Sequence, residues 1–225
     1  MTYTMNKYLY NQPKLRGSVT NIRYPAVCEY KLDGIFQFIQ TDNGIYLGEL
    51  HYGEGKQGDL YKLLKDRNKG NILIFDVVML NNEIVQNRPL SERKKAIVAA
   101  VGELSLPYSI VNSLKEAKQA FHDAVMEGYE GVVIKSLDSP LVLGSCSWVK
   151  MKFKDQNVLR ITKIDPEERI EVDHVGVPVG VKVINRIKKD LNIGDSVVIE
   201  HYGVTVSGSL RNPIYIGKEN GDENS

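Results

Sequence analysis

Helix-like periodicity stops near Asn157, and this change of pattern constrains the fold more than any other feature of the 225-residue chain. Beyond it, short Val- and Ile-rich runs recur at residues 157–164, 168–173, 179–185, 196–202 and 213–216, broken by Asp-Pro, Gly-Val-Pro, Asn-Ile-Gly-Asp and Asn-Pro. Short strands at such spacing, with turn signals between them, predict a small all-β barrel. Before Asn157 the pattern is mixed. Strand-type stretches lie at 25–33, 35–40, 45–52, 72–80, 130–135 and 147–153, and helix-type stretches near 58–67, 91–103 and 113–127. Asn43-Gly44 is a hairpin signal, and Ser113-Leu114-Lys115-Glu116 has the pattern of a capping box. The expected architecture is α+β: antiparallel sheets with flanking helices over residues 1–154, then a barrel of the oligonucleotide-binding (OB) type over 155–225.

Composition excludes several classes. An apolar share of 42% and a charged share of 25% are those of an ordinary globular protein. No apolar run approaches the roughly 18 residues of a membrane span, and Met1–Lys7 lacks the basic-then-apolar pattern of a secretory signal. Cys28 and Cys146 have no metal-type spacing, so free thiols and a cytoplasmic location (a host's cytoplasm, for a viral chain) are expected. The net charge of +1 argues against a wholesale polyanion binder and leaves room for a local basic stripe.

The string Cys28-Glu29-Tyr30-Lys31-Leu32-Asp33-Gly34 joins a lysine to two carboxylates. Lysine, with an ordinary pKa of about 10.4, is a poor nucleophile at neutral pH unless its surroundings favour the neutral amine. The apolar run Pro25–Cys28 supplies such surroundings. Period-two alternation puts Glu29, Lys31 and Asp33 on one face of a strand, and Gly34 at its end admits close approach of a ligand. An edge strand with a surface Lys-Asp pair fits this heptapeptide equally well. Four further segments follow: Leu47-Gly48-Glu49-Leu50, Phe75-Asp76, Glu130-Gly131-Val132-Val133-Ile134-Lys135 and Trp148-Val149-Lys150-Met151-Lys152. Singly, each reads as a solvated edge, a core residue beside a turn, or a solvated face.

Together and in this order, they resemble the motifs of the covalent nucleotidyltransferase superfamily: ATP-dependent DNA ligases, RNA ligases and mRNA capping enzymes. Lys31-Leu32-Asp33-Gly34 matches the Lys-x-Asp-Gly motif whose lysine takes up a nucleotide as a phosphoramidate. Phe75-Asp76 with Pro89-Leu90-Ser91-Glu92-Arg93 resembles a later motif and the helix start that trails it. The resemblance implies Lys31 as nucleophile, and Lys150 and Lys152 as holders of the α-phosphate. It implies Glu130 as ligand for Mg2+ or Mn2+, Phe75 as a stacking platform for the purine of ATP, and Glu29 at the adenine edge. Lys135 and Arg211 join the nucleotide-binding set. Glu49 would touch the ribose or the metal's water shell, and Asp33 the nick strand or the metal.

The segment Ser207-Gly208-Ser209-Leu210-Arg211-Asn212-Pro213 is similar to the end of the OB domain of small DNA ligases. The resemblance therefore implies a minimal two-domain, monomeric ATP-dependent DNA ligase acting on nicked duplex DNA. Lys154, Arg186, Lys188 and Lys189 are its expected phosphate contacts. Two departures stand out. Phe36 fills a slot where DNA ligases carry arginine, and the 14 residues between Gly34 and Glu49 hold no Ser-Arg motif. An RNA ligase is thus the nearest alternative, and a non-catalytic nucleic-acid-binding module the alternative from another class.

Overall fold

The computed structural model describes residues 22–143, 147–166, 169–183, 185–205 and 207–219, without the side chains of Asn185 and Arg186. The chain divides into two compact units, Met1–Lys152 and Phe153–Ser225.

The first unit holds two four-stranded antiparallel sheets. One has the order β6-β1-β7-β8, from Tyr108–Val111, Ala26–Tyr30, Gly131–Ser136 and Val149–Lys152. The other runs β2-β3-β4-β5, from Ile35–Thr41, Gly44–His51, Asn71–Leu80 and Glu83–Ile84. Helices α1 (Asp59–Lys65), α2 (Leu90–Val101) and α3 (Leu114–Met126) flank them. The Ser113 hydroxyl caps α3 by accepting from the Glu116 amide at 3.2 Å, as the capping-box pattern predicts. α3 packs against the first sheet through Ala117 and Ala124, where small side chains let helix and sheet come close. α2 packs on β4. An aromatic cluster of Phe36, Phe38, Phe75 and Trp148 combines strands of both sheets.

β1 differs from its sequence expectation in two ways. It is a central strand, paired on one side with β6 and on the other with β7, so the edge-strand alternative falls. It also ends at Tyr30 rather than Asp33. The Lys31 amide still donates to Gly131 O at 2.8 Å, after which the chain turns and the Asp33 amide donates to Gly55 O at 2.9 Å. Glu29, Lys31 and Asp33 therefore do not share one strand face. Periodicity also overlooked β6, a four-residue strand, and the two-residue β5.

The second unit is a closed barrel, order β10-β11-β13-β12-β9. Its strands are Asp155–Ile164, Arg169–His174, Val177–Lys182, Ser196–His201 and Ile214–Lys218, for β9 to β13 in chain order. Ile161, Val172, Val181, Val197 and Ile199 alternate inward to fill it. The strand expected over 179–185 stops at Lys182, and a short helix α4 (Asn185–Lys188) follows. Among the described residues, no helix is long and apolar enough to cross a membrane.

Candidate active site

A cavity of about 750 Å3 opens in the first unit, and Glu29, Lys31, Glu49, Phe75, Lys135 and Lys150 all line it. These residues come from β1, the turn after it, β3, β4, β7 and β8.

Tyr30 and Tyr129 stack with ring centroids 4.1 Å apart, and the Tyr30 hydroxyl donates to Glu127 at 2.8 Å. The β1–β7 ladder, continued by the Lys31 amide donating to Gly131 O at 2.8 Å, brings Lys31 beside Glu130. Lys31 Nζ is ion-paired with Glu130 Oε2, while Lys152 Nζ lies 3.4 Å from Glu130 Oε1. One buried carboxylate is thereby shared by two lysines. Burial, reinforced by the charges of Lys31 and Lys150, holds the Lys152 ammonium below the usual lysine range, against the pull of Glu130. Lys150 is exposed at the cavity.

Glu49 faces Phe36 across the β2–β3 ladder. Burial pushes its carboxyl up to about 7; Lys31 opposes the shift, and the carboxylates of Glu130 and Asp33 add to it. Gly34 is spoken for by this same strand: a Cβ there would lie 2.3 Å from Leu50 O and 2.9 Å from the Glu49 side chain. β3 thus takes the place a side chain would need, and the bare Gly34 backbone lines the cavity. Asp33 is buried, and its Oδ2 accepts from the Gly58 amide at 2.7 Å, tying the turn after Lys31 to the start of α1.

The floor of the cavity carries charge that sequence reasoning did not pair. Glu29 is 2% exposed; its Oε1 is ion-paired with Lys94 and its Oε2 with Lys135 at 2.5 Å. Lys135 Nζ lies 3.9 Å from the centroid of the Trp148 ring and 4.8 Å from that of Phe75. Burial pushes the Lys135 ammonium down, and the Glu29 charge opposes this. Behind Phe75, Asp76 is gripped by Arg93 at 2.7 and 3.1 Å. The sequence motifs include Arg93 and Trp148 without giving them a role, and they do not reach Lys94 or Tyr129. A signal existed for two of these four: Leu90, Arg93, Lys94 and Ile97 form the buried stripe of α2, so both basic residues stand where apolar ones would be expected.

Among the described residues, no group of three or more His, Cys, Asp or Glu side chains is placed to hold a metal ion. Glu130 is a buried carboxylate whose two oxygens face Lys31 and Lys152; a hard divalent cation of the Mg2+ or Mn2+ type is commonly held by one or two carboxylates together with substrate phosphates.

The remaining expected residues lie in the second unit. Lys154 is paired with Glu200 at 2.7 Å. Lys188 Nζ donates to Asp165 O and Pro166 O at 2.7 and 2.9 Å. Lys189 is exposed, and the Arg186 side chain falls outside the described residues. The Arg211 amide donates to Gly203 O at 2.9 Å.

Residues 4–152 match the family model of the ATP dependent DNA ligase domain. The chain is 28% identical over 157 residues to a DNA ligase of Acidianus ambivalens, covering 61% of this chain and 25% of that protein. It is 38% identical over 80 residues to a probable DNA ligase of Nocardia farcinica, covering 35% of this chain and 15% of that one. The chain thus spans a quarter or less of these curated relatives. Among solved structures it superposes on a Lig E DNA ligase, studied for DNA binding with a minimal scaffold. That match has a TM-score of 0.76 at 14% identity and covers 93% of this chain and 99% of that one. The ligase domain of M. tuberculosis LigD gives a TM-score of 0.52 at 15% identity, covering 95% of this chain and 96% of that one. At such identities the likeness is one of fold.

Proposed function

The chain belongs to the ATP-dependent DNA ligase family, and on that footing we propose that it seals 5′-phosphate/3′-hydroxyl nicks in duplex DNA, with Lys31 as the carrier of AMP. The observation that supports this most is the shared carboxylate. Lys31 stands at a cavity with an aromatic floor, and Glu130 holds it beside a second lysine.

Lys31 Nζ forms an N–P bond to the α-phosphorus of ATP while the bond to pyrophosphate breaks, and the two protons that the ammonium gives up pass to solvent. Lys150 and Lys152 neutralise charge growing on the phosphoryl oxygens. Phe75 stacks on the base, Lys135 supports that face of the pocket, Glu29 meets the base edge, and Glu49 meets the ribose. Asp33 positions Lys31 through its bond to Gly58. A divalent cation at Glu130 would screen the polyphosphate. The 5′-phosphate then takes AMP from Lys31, and the 3′-hydroxyl displaces AMP to close the strand. In the second unit, Lys154, Arg186, Lys188 and Lys189 contact duplex phosphates, and Arg211 contributes to nucleotide binding. The chain acts as a monomer in the cytoplasm.

The test is incubation with α-labelled ATP and magnesium. Label on the wild-type chain that Lys31→Ala abolishes is expected; a folded, AMP-free sample that takes no label overturns the enzyme reading. Parallel assays on nicked DNA and nicked RNA then separate a DNA ligase from an RNA ligase. Lys152→Ala is expected to slow labelling far more than Lys188→Ala, and equal effects would refute the division between catalytic and clamping lysines.

A further inference from the structure

Two consecutive residues of α2 fasten both walls of the cavity. Arg93 holds Asp76, the neighbour of Phe75 on β4, with its Nε and Nη2 at 2.7 and 3.1 Å. Lys94 reaches the other sheet and pairs with Glu29 on β1, with its ammonium 5.1 Å from the Tyr108 ring centroid. Tyr108 stands directly across the β1–β6 ladder from Glu29. Glu29 lines the cavity, whereas Lys94, 1% exposed, reaches it only through Glu29.

Among the described residues, the buried charges of this cluster do not balance. Lys135 alone would neutralise Glu29, and it already sits on the second carboxylate oxygen at 2.5 Å. Adding Lys94 leaves three buried cations (Arg93, Lys94, Lys135) facing two buried anions (Glu29, Asp76). Removing a second lysine from water carries a desolvation cost that one carboxylate offsets only in part. What the surplus lysine does supply is geometry. With an ammonium group on each oxygen, the Glu29 carboxylate is pinned about its last torsion, and its remaining lone pairs have a fixed direction.

We propose that Lys94 is a positioning residue that fixes the Glu29 carboxylate against the nucleobase edge and thereby makes the pocket select a base presenting an amine there. The proposal rests on reading the cavity as a nucleotide pocket. A carboxylate is an acceptor only, and a pinned one cannot turn away from a mismatched partner. Adenine offers a hydrogen-bond donor at its six-position, whereas guanine offers a carbonyl oxygen. Two acceptors set face to face leave buried lone pairs unmatched, and sites built on such hydrogen bonds discriminate strongly. A carboxylate released from Lys94 can swing, admit water and tolerate either base.

The experiment compares covalent labelling by α-labelled ATP and GTP in the wild-type chain, K94M, K94Q and K94R, with thermal unfolding of each. Methionine keeps most of the stem without the charge and leaves a neutral Glu29–Lys135 pair. K94M is expected to lose about tenfold or more of the ATP-over-GTP preference, chiefly through a higher KM for ATP, with a melting temperature unchanged or raised. K94R is expected to restore most of the preference, and K94Q to fall between. A preference within twofold of wild type in folded K94M and K94Q would overturn the proposal while leaving the ligase reading intact. So would a lower melting temperature with kcat and KM worsening together and no rescue by arginine, the signature of a structural role. A wild-type chain that takes no label from either nucleotide would overturn both readings at once.

Discussion

Arg93 and Asp76 form a two-pronged ion pair, at 2.7 and 3.1 Å, with both side chains inaccessible to solvent. Nη1 of the same guanidinium donates to Ser139 O at 2.9 Å and to Arg88 O, so one side chain joins β4, the loop before α2 and the segment after β7. Such a pair is costly to break from one side, because the survivor keeps its charge without a partner. Arg93→Met is expected to cost about 3–5 kcal/mol in urea unfolding. The double variant Asp76→Leu with Arg93→Met is expected to recover part of that loss, and a double variant worse than the single one would refute the uncompensated-charge account.

Glu49 predicts a pH dependence of stability. Its carboxyl is raised from 4.5 to about 7 in the folded chain, chiefly by burial. The folded state therefore holds a proton that the unfolded state has released between those values. The stability this group contributes is full below pH 4.5 and is lost as the pH rises through about 7. Glu49→Gln is expected to match wild type near pH 4.5 and to melt at a higher temperature at pH 8, in EDTA throughout. A gap that does not widen with pH would contradict the shift.

Gly131 is the tightest point of the β7–β8 pair. Its φ is +139°, and a Cβ would lie 2.0 Å from Met151 O. Gly131→Ala is expected to cost at least about 3 kcal/mol and to abolish labelling by ATP, since β8 carries Lys150 and Lys152. Gly194→Ala, at φ +96° with open space around it, is the control and is expected to cost only about 1 kcal/mol.

Val175 occupies the turn between β10 and β11 at φ +52°, beside Gly176 at +78°. Paired left-handed residues are the signature of a type I′ hairpin, which favours Asn-Gly. Val175→Asn is expected to raise stability by roughly 1 kcal/mol with no change in labelling; a lower melting temperature would show the turn to be unstrained.

Local pattern carried most of the architecture. The alternation of Ile161, Val172 and Val197 announces a barrel because each strand shows its own inward face, and Ser113-x-x-Glu116 announces a helix start because its partners are three residues apart. The catalytic candidates were legible as ordered motifs. The charges that hold them were not, since Lys94 and Glu29 are separated by 65 positions. Periodicity tells which face a side chain takes, but not which opposite charge waits on another element. Strand ends failed for a similar reason: Leu32 and Asp33 continue an alternating pattern, yet Gly55 and Gly58 draw that segment into a turn.

Glu130 also gives the resting site an internal counter-ion. Glu130 pairs with both Lys31 and Lys152, so an anion that drew the two lysines away would free this carboxylate to bind a cation. On the proposed function, polyphosphate and divalent metal would then be thermodynamically linked ligands, each raising the other's affinity by the same factor. The pocket would work as an ion exchanger, trading the two internal pairs of Glu130 for an incoming salt.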